Sequence, residues 1–221
     1  VKDSNGNAIN AGVSHSGKIS ADGGQVVLAA TTARQAADNV INMSGIIRAR
    51  SISQDKGEII LDAGDKGTVN VAGVLDSSGK QARLTGGDIK VLGDQVNLKH
   101  GARVDASGAN GGGNVLVGGD FQGKGSLPIA TKTVVSQDAT IKADAVTQGN
   151  GGKVVVWADG ETQYNGQISA KGGSKAGNGG LAEVSGKQNL VYRGDTTLSA
   201  AHGKAGTLLL DPLNITVSKT G

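Results

Sequence analysis

Few residues in this 221-residue chain are of types that do chemistry, and their spacing is the first guide to function. There is no cysteine, so thiolate catalysis and disulfides are excluded. The three histidines, His15, His100 and His202, stand far apart, without the short intervals that bring two imidazoles to one metal. Asp62, Asp65, Asp94, Asp120 and Asp159 fall in or beside turn-like segments, where carboxylates could hold calcium. The Gly-Gly-x-Gly-x-Asp rhythm of calcium-binding β-rolls is missing, so no metal and no other cofactor is expected. Phe121, Trp157, Tyr164 and Tyr192 are the whole aromatic supply. Trp157 and Tyr164 flank one turn and could stack on a sugar; the plainer reading has each covering the edge of a structural element. A polysaccharide-cleaving groove would be poorly furnished with these four. No catalytic residue is assigned, and no enzyme is expected.

Binding motifs are more numerous than catalytic ones. Arg193-Gly194-Asp195 stands in "VYRGDTTL", where it could offer an integrin-binding loop. Three common residues match easily by chance in a glycine-rich chain, and the plainer reading is a polar corner between strands. Asn42-Met43-Ser44 and Asn214-Ile215-Thr216 are glycosylation sequons, short enough for chance to account for them. The chain carries 22 basic and 19 acidic residues, net +3, with no Lys/Arg cluster, so nucleic acid is not an expected partner. No apolar run approaches the ~20 residues of a membrane helix.

What positions these residues is a repeat. Glycine supplies 38 residues, more than twice its usual share of about 7%. Two prolines rule out collagen, and Val, Ile and Leu recur too often for glycine-rich disorder. A signature of Ile, Leu or Val, any residue, then Ala or Ser recurs at Ile19, Ile47, Leu75, Val104, Ile141, Ile168 and Leu198. The intervals are 28, 28, 29, 37, 27 and 30 residues. A second apolar run follows each copy, as in Val26–Leu28, Ile59–Leu61 and Val154–Val156, and a third precedes most of them. Alternation such as Thr68-Val69-Asn70-Val71 has the period of two that belongs to strands. Only 31–39, "TTARQAADN", has a helical look.

Three short strands per period, each unable to bury a face alone, predict stacked coils. The expected fold is all-β: a right-handed parallel β-helix with about seven or eight coils, a rod roughly 35–40 Å long. A narrow tube filled with Val, Ile, Leu and Ala accounts for the scarcity of aromatics, and glycine serves the corners. A β-sandwich would want tight turns every 8–12 residues or so and a less regular long period. The long fourth interval holds a surplus at 118–133, "GGDFQGKGSLPIATKT". An insertion in a solenoid predicts a protruding loop, a candidate binding site with Phe121, Lys124 and Pro128. The other reading is an excursion that covers part of one face.

Several blocks carry a resemblance. "SADGGQVVLAA" (20–30), "GTVNVAGVLDSSG" (67–79), "GARVDASGANGGGNVLVGGDFQGKG" (101–125), "NGGKVVVWADG" (150–160), "GGLAEVSGK" (179–187) and "GTLLLDPLNIT" (206–216) occur in this order. Together they resemble the region after the secretion domain in filamentous-haemagglutinin-like exoproteins of the two-partner secretion pathway. The resemblance implies a secreted or surface-bound bacterial protein, exported by a β-barrel transporter in the outer membrane. It further implies a structural or adhesive shaft serving cell adhesion, aggregation or biofilm matrix, with extracellular polysaccharide or a host surface protein as further partners. Members that bind haem or host proteins are the alternative. The family's secretion domain carries Asn-Pro-Asn motifs, and Pro128 and Pro212 stand in no such context. Residues 1–221 are therefore expected to be one β-helix segment of a longer protein, without the part that the transporter reads.

Overall fold

A computed structural model describes residues 12–30, 40–53 and 55–213 of the chain. The helix-like stretch at 31–39 and the sequon at Asn214 lie outside them. The described strands follow one another in a strict cycle of three. The first coil holds β1 (Val13–His15), β2 (Lys18–Ser20) and β3 (Gln25–Ala29). The second holds β4 (Val40–Met43), β5 (Ile46–Arg48) and β6 (Glu58–Asp62), and the third β7 (Thr68–Val71), β8 (Val74–Asp76) and β9 (Asp88–Leu92). The fourth and fifth run through β10 (Gln95–Leu98), β11 (Arg103–Asp105), β12 (Asn114–Val117), β13 (Lys132–Val135), β14 (Thr140–Lys142) and β15 (Lys153–Ala158). The sixth is β16 (Glu161–Tyr164), β17 (Gln167–Ser169) and β18 (Leu181–Gly186). The seventh is β19 (Asn189–Tyr192), β20 (Asp195–Thr197) and β21 (Thr207–Leu209).

Corresponding strands of successive coils pair, giving three seven-stranded sheets in which every pairing is parallel. The chain is thus the all-β parallel solenoid that its period predicts, with about seven turns. Like positions stack: Ile19, Ile47, Leu75, Val104, Ile141 and Ile168 form one column of direct register partners. The alternation inside each strand sends one set of side chains into the tube and the other to solvent. Ile41, Ile47, Ile59, Leu61, Leu75 and Ile89, all 0% exposed, belong to one continuous core along the axis.

The seventh rung differs from the sequence reading. Ile168 pairs with Thr196, not Leu198, so the last interval is 28 residues rather than 30. The corner decides it. Gly194 lies directly over Gly166, whose carbonyl oxygen is 2.2 Å from where a Cβ on Gly194 would sit. Asp195 N donates to Gly166 O at 2.9 Å. Leu198 then occupies the place of Ala170, one inward position further along.

A second glycine column explains much of the composition. Gly87, Gly113, Gly152, Gly180 and Gly206 each open a strand of the third sheet, on the rung above the preceding glycine. A Cβ on any of them would lie 2.0–2.1 Å from the carbonyl oxygen of the glycine one rung back. Only hydrogen fits where coils approach this closely at the corner.

Candidate functional site

The surplus of the fourth interval forms a strap on the outside of the third sheet. After Val117 the chain stays in the ladder for one more bond, Gly118 N to Val91 O at 2.9 Å. It then leaves the coil and is closed at its base by Ala130 N donating to Gly118 O at 2.7 Å. Thr131 N rejoins the stack through Asp94 O at 2.8 Å. A compact loop with adjoining ends is the form such insertions take when their own side chains pack them down.

The strap lands on an apolar patch. Leu116, Val155 and Trp157 point outward from β12 and β15, yet they are only 6%, 0% and 4% exposed. Phe121, Leu127 and Ile129 of the strap pack over them. Full burial of such a side chain contributes about 1.5–3 kcal/mol relative to leaving it in water, and the half-buried residues of the strap contribute less. Gly123, at φ +60°, lies so close to the indole that a Cβ there would be 2.6 Å from Trp157 Cζ2. Phe121 is therefore a packing residue of the strap, while Lys124 is exposed and its Nζ meets Gln122 Oε1 at 2.8 Å. Pro128 is half-buried beside Leu127 and Ile129.

Glu183, which sequence reasoning did not single out, secures the strap. It projects from β18 on the outer face but is 0% exposed. Gln122 N, in the strap's single turn of 3-10 helix (Phe121–Gly123), donates to Glu183 Oε2 at 2.8 Å. Ser185 Oγ donates to Glu183 Oε1 at 3.1 Å. Burial pushes this carboxyl above the usual glutamate range, and the carboxylates of Asp211 and Asp120 push the same way, against the two hydrogen bonds. Asp120 also accepts from Phe121 N at 2.7 Å, and Lys153 Nζ lies 3.5 Å from it.

The other sequence candidates are scattered. Arg193-Gly194-Asp195 is a tight corner between β19 and β20. Arg193 N and Gly194 N both donate to Tyr164 O, at 2.8 and 3.1 Å. The Arg193 and Asp195 side chains are exposed, but the backbone between them is held against the rung below. Asn42 stands in β4, where its Oδ1 accepts from Asn70 Nδ2 at 2.9 Å, and Asn70 Oδ1 accepts from Asn97 Nδ2 at 3.1 Å. This asparagine ladder gives the residue a structural role on the outer face. Trp157 and Tyr164 do not form a sugar platform together. Trp157 faces out beneath the strap, whereas Tyr164 faces in, stacks on Tyr192 at 5.0 Å and donates its hydroxyl to Asp195 O at 2.6 Å.

Three of the turn aspartates, Asp62, Asp120 and Asp159, serve the backbone or lysines. Asp62 Oδ1 accepts from Gly64 N at 2.8 Å, and Asp159 pairs with Lys187 at 3.5 Å. Among the described residues, no group of three or more His, Cys, Asp or Glu could hold a metal ion. Nor does any described helix have the length and apolarity to cross a membrane.

Among solved structures, the chain is similar to the HMW1 secretion domain from Haemophilus influenzae. The two are 29% identical, with a TM-score of 0.67 over 86% of this chain and 48% of that one. The chain therefore spans about half the length of the matched structure. No protein-family model matches it. No curated protein matches it either. The sequence reading placed this chain after a secretion domain; the matched structure bears that name itself, so likeness of coil architecture extends into a domain so named.

Proposed function

We propose that this chain is a rigid shaft segment of a secreted bacterial surface exoprotein. The observation that carries the reading is the similarity, in sequence and in fold, to a secretion domain across 86% of the chain. The geometry suits the task. Three continuous ladders run the length of the described coils, so bending the rod means straining hydrogen bonds in at least one of them. The outer faces carry Asn, Asp, Lys, Gln and Thr, which keep such a rod in solution. In this reading an outer-membrane transporter exports the protein, and the shaft holds a binding region away from the cell for adhesion, aggregation or biofilm matrix.

The test is accessibility on living cells. Antibodies raised against the 221-residue chain should label intact, unpermeabilised cells of the organism that makes it. Protease shaving or deletion of the transporter gene should abolish the label. Labelling that appears only after permeabilisation would contradict the proposal.

A further inference from the structure

We propose that Asn165 is a self-modification site, where the chain turns its own asparagine into aspartate and isoaspartate through a backbone succinimide. This goes beyond the shaft reading and does not depend on it. Five asparagines are followed by glycine: Asn5, Asn110, Asn150, Asn165 and Asn178. Glycine in that place makes the reaction easiest, because no side chain shields the attacking amide nitrogen. Asn5 lies outside the described residues. Hydrogen bonding between coils sorts the other four.

Asn150 and Asn178 are latched twice, each by a single residue of the next rung. Asn178 N donates to Asn150 Oδ1 at 2.8 Å, and Gly151 N donates to Asn178 O at 2.9 Å. Lys204 repeats the arrangement one coil on: its N donates to Asn178 Oδ1 at 2.9 Å, and its O accepts from Gly179 N at 2.8 Å. In both places the side-chain amide is tied down, and so is the nitrogen that would attack it. Ring closure has to break both bonds. Asn110 is latched once. Its Oδ1 accepts from Gln148 Nε2 at 2.7 Å, while Gly111 N makes no hydrogen bond among the described residues.

Asn165 has neither latch. It stands at the corner between β16 and β17, fixed by its backbone alone, with Asn165 N donating to Val135 O at 3.0 Å. Among the described residues its side chain makes no hydrogen bond, and neither does Gly166 N. On the next rung Arg193 N and Gly194 N both turn to Tyr164 O and leave the Asn165 amide alone. Exposure ranks the sites the other way, for Asn150 and Asn178 are exposed and Asn165 is half-buried. Closure needs a side chain that can turn and a nitrogen that is unbound, and contact with water supplies neither.

The step balances without a cofactor. Gly166 N loses its proton to hydroxide and bonds to Asn165 Cγ; the Cγ–Nδ2 bond breaks, and Nδ2 takes a proton from water and leaves as ammonia. Water then opens the ring. Opening at Cγ gives aspartate, and opening at the backbone carbonyl gives isoaspartate, whose main chain is longer by one methylene. Either product puts a new negative charge at the corner. Isoaspartate also displaces Gly166, whose carbonyl oxygen receives Asp195 N at 2.9 Å, and so loosens the seat of β20.

The experiment incubates the folded 221-residue chain at mildly alkaline pH and follows each site by peptide mapping with isoaspartate detection. Asn165 should convert about tenfold or more faster than Asn150 and Asn178, whose two hydrogen bonds must open first. Asn110 should fall between, and Gln148→Ala should speed Asn110 while leaving Asn165 unchanged. In denaturant, where no latch survives, the four rates should approach one another. Asn165→Gln should abolish conversion at that position, with an unfolding midpoint showing the coil intact. Hydrogen exchange at Asp195 N should quicken in the isoaspartate form. Equal rates at Asn165, Asn150 and Asn178 in the folded chain would overturn the proposal. So would an Asn165 amide that persists in the folded chain through an incubation that converts it in denaturant, or an Asn110 indifferent to Gln148→Ala.

Discussion

Glu183 is the residue whose environment is most at odds with its type. An outward position on a strand normally costs a carboxylate nothing, but the strap removes this one from water. The folded chain therefore holds the Glu183 proton more tightly than the unfolded chain does. Its contribution to stability is fully present below the unfolded glutamate pKa and is lost as pH rises through the raised folded value. Glu183→Gln keeps an acceptor for Gln122 N without the charge. Denaturant titrations across that pH range should show wild-type stability falling relative to Glu183→Gln as pH rises; a constant difference, or one of opposite sign, would refute this account of the site. Glu183 stands between Ala182 and Val184 in "LAEVSG", inside an apolar run of the sequence, and where an insertion lands is not written in local pattern. The interior threonines were equally hidden. Thr133 and Thr162 are 0% exposed, each donating its hydroxyl to a carbonyl at 2.7 Å, Trp157 O and Ser185 O. Those bonds let β16, "ETQY", fill an apolar rung although only its Tyr164 looks the part.

At the level of elements, the strap and the corners follow different logic. The strap is held by side chains, the corners by the absence of them. Gly123 combines both: its positive φ and its contact with the indole each resist a side chain. Gly123→Ala should cost about 1–3 kcal/mol and lift the strap from the sheet. Trp157 is the sole tryptophan, so its emission should move to longer wavelength as water reaches the ring. Unchanged emission with unchanged stability would mean that the strap does not seal the patch. The interval of 37 residues announced an insertion at 118–133, but the sequence offered Phe121 as a binding residue of a protruding loop, and its packing over Leu116, Val155 and Trp157 shows only in the fold. The register of the seventh rung was misread for a definable reason. Leu198-Ser199-Ala200 imitates the repeat signature, whereas the corner glycine, Gly194, sets the phase and places Thr196 inside.

For the whole molecule the period carried the message. Seven copies of a weak three-residue signature are informative because each coil is stabilised by its neighbours, so selection acts on every rung in the same way. Class, sheet number and coil number were all legible from that period and from the glycine count. Ligand contacts were not, since side chains that meet on a solenoid face are about 28 residues apart and share no local motif. Stacked rungs place register partners about 4.8 Å apart, within the Cα separation that a disulfide spans. The chain has no cysteine of its own, which makes cross-linking a clean reading of that stacking. Three double-cysteine variants should close readily under mild oxidation: Asn70 with Asn97, Asp105 with Lys142 across the strap-bearing coil, and Ser169 with Thr197 on the last rung. Ser169 with Ser199, the pair that the bare signature spacing would choose, should stay reduced. Register partners that remain reduced while displaced pairs close would contradict the stacked-coil account at its root.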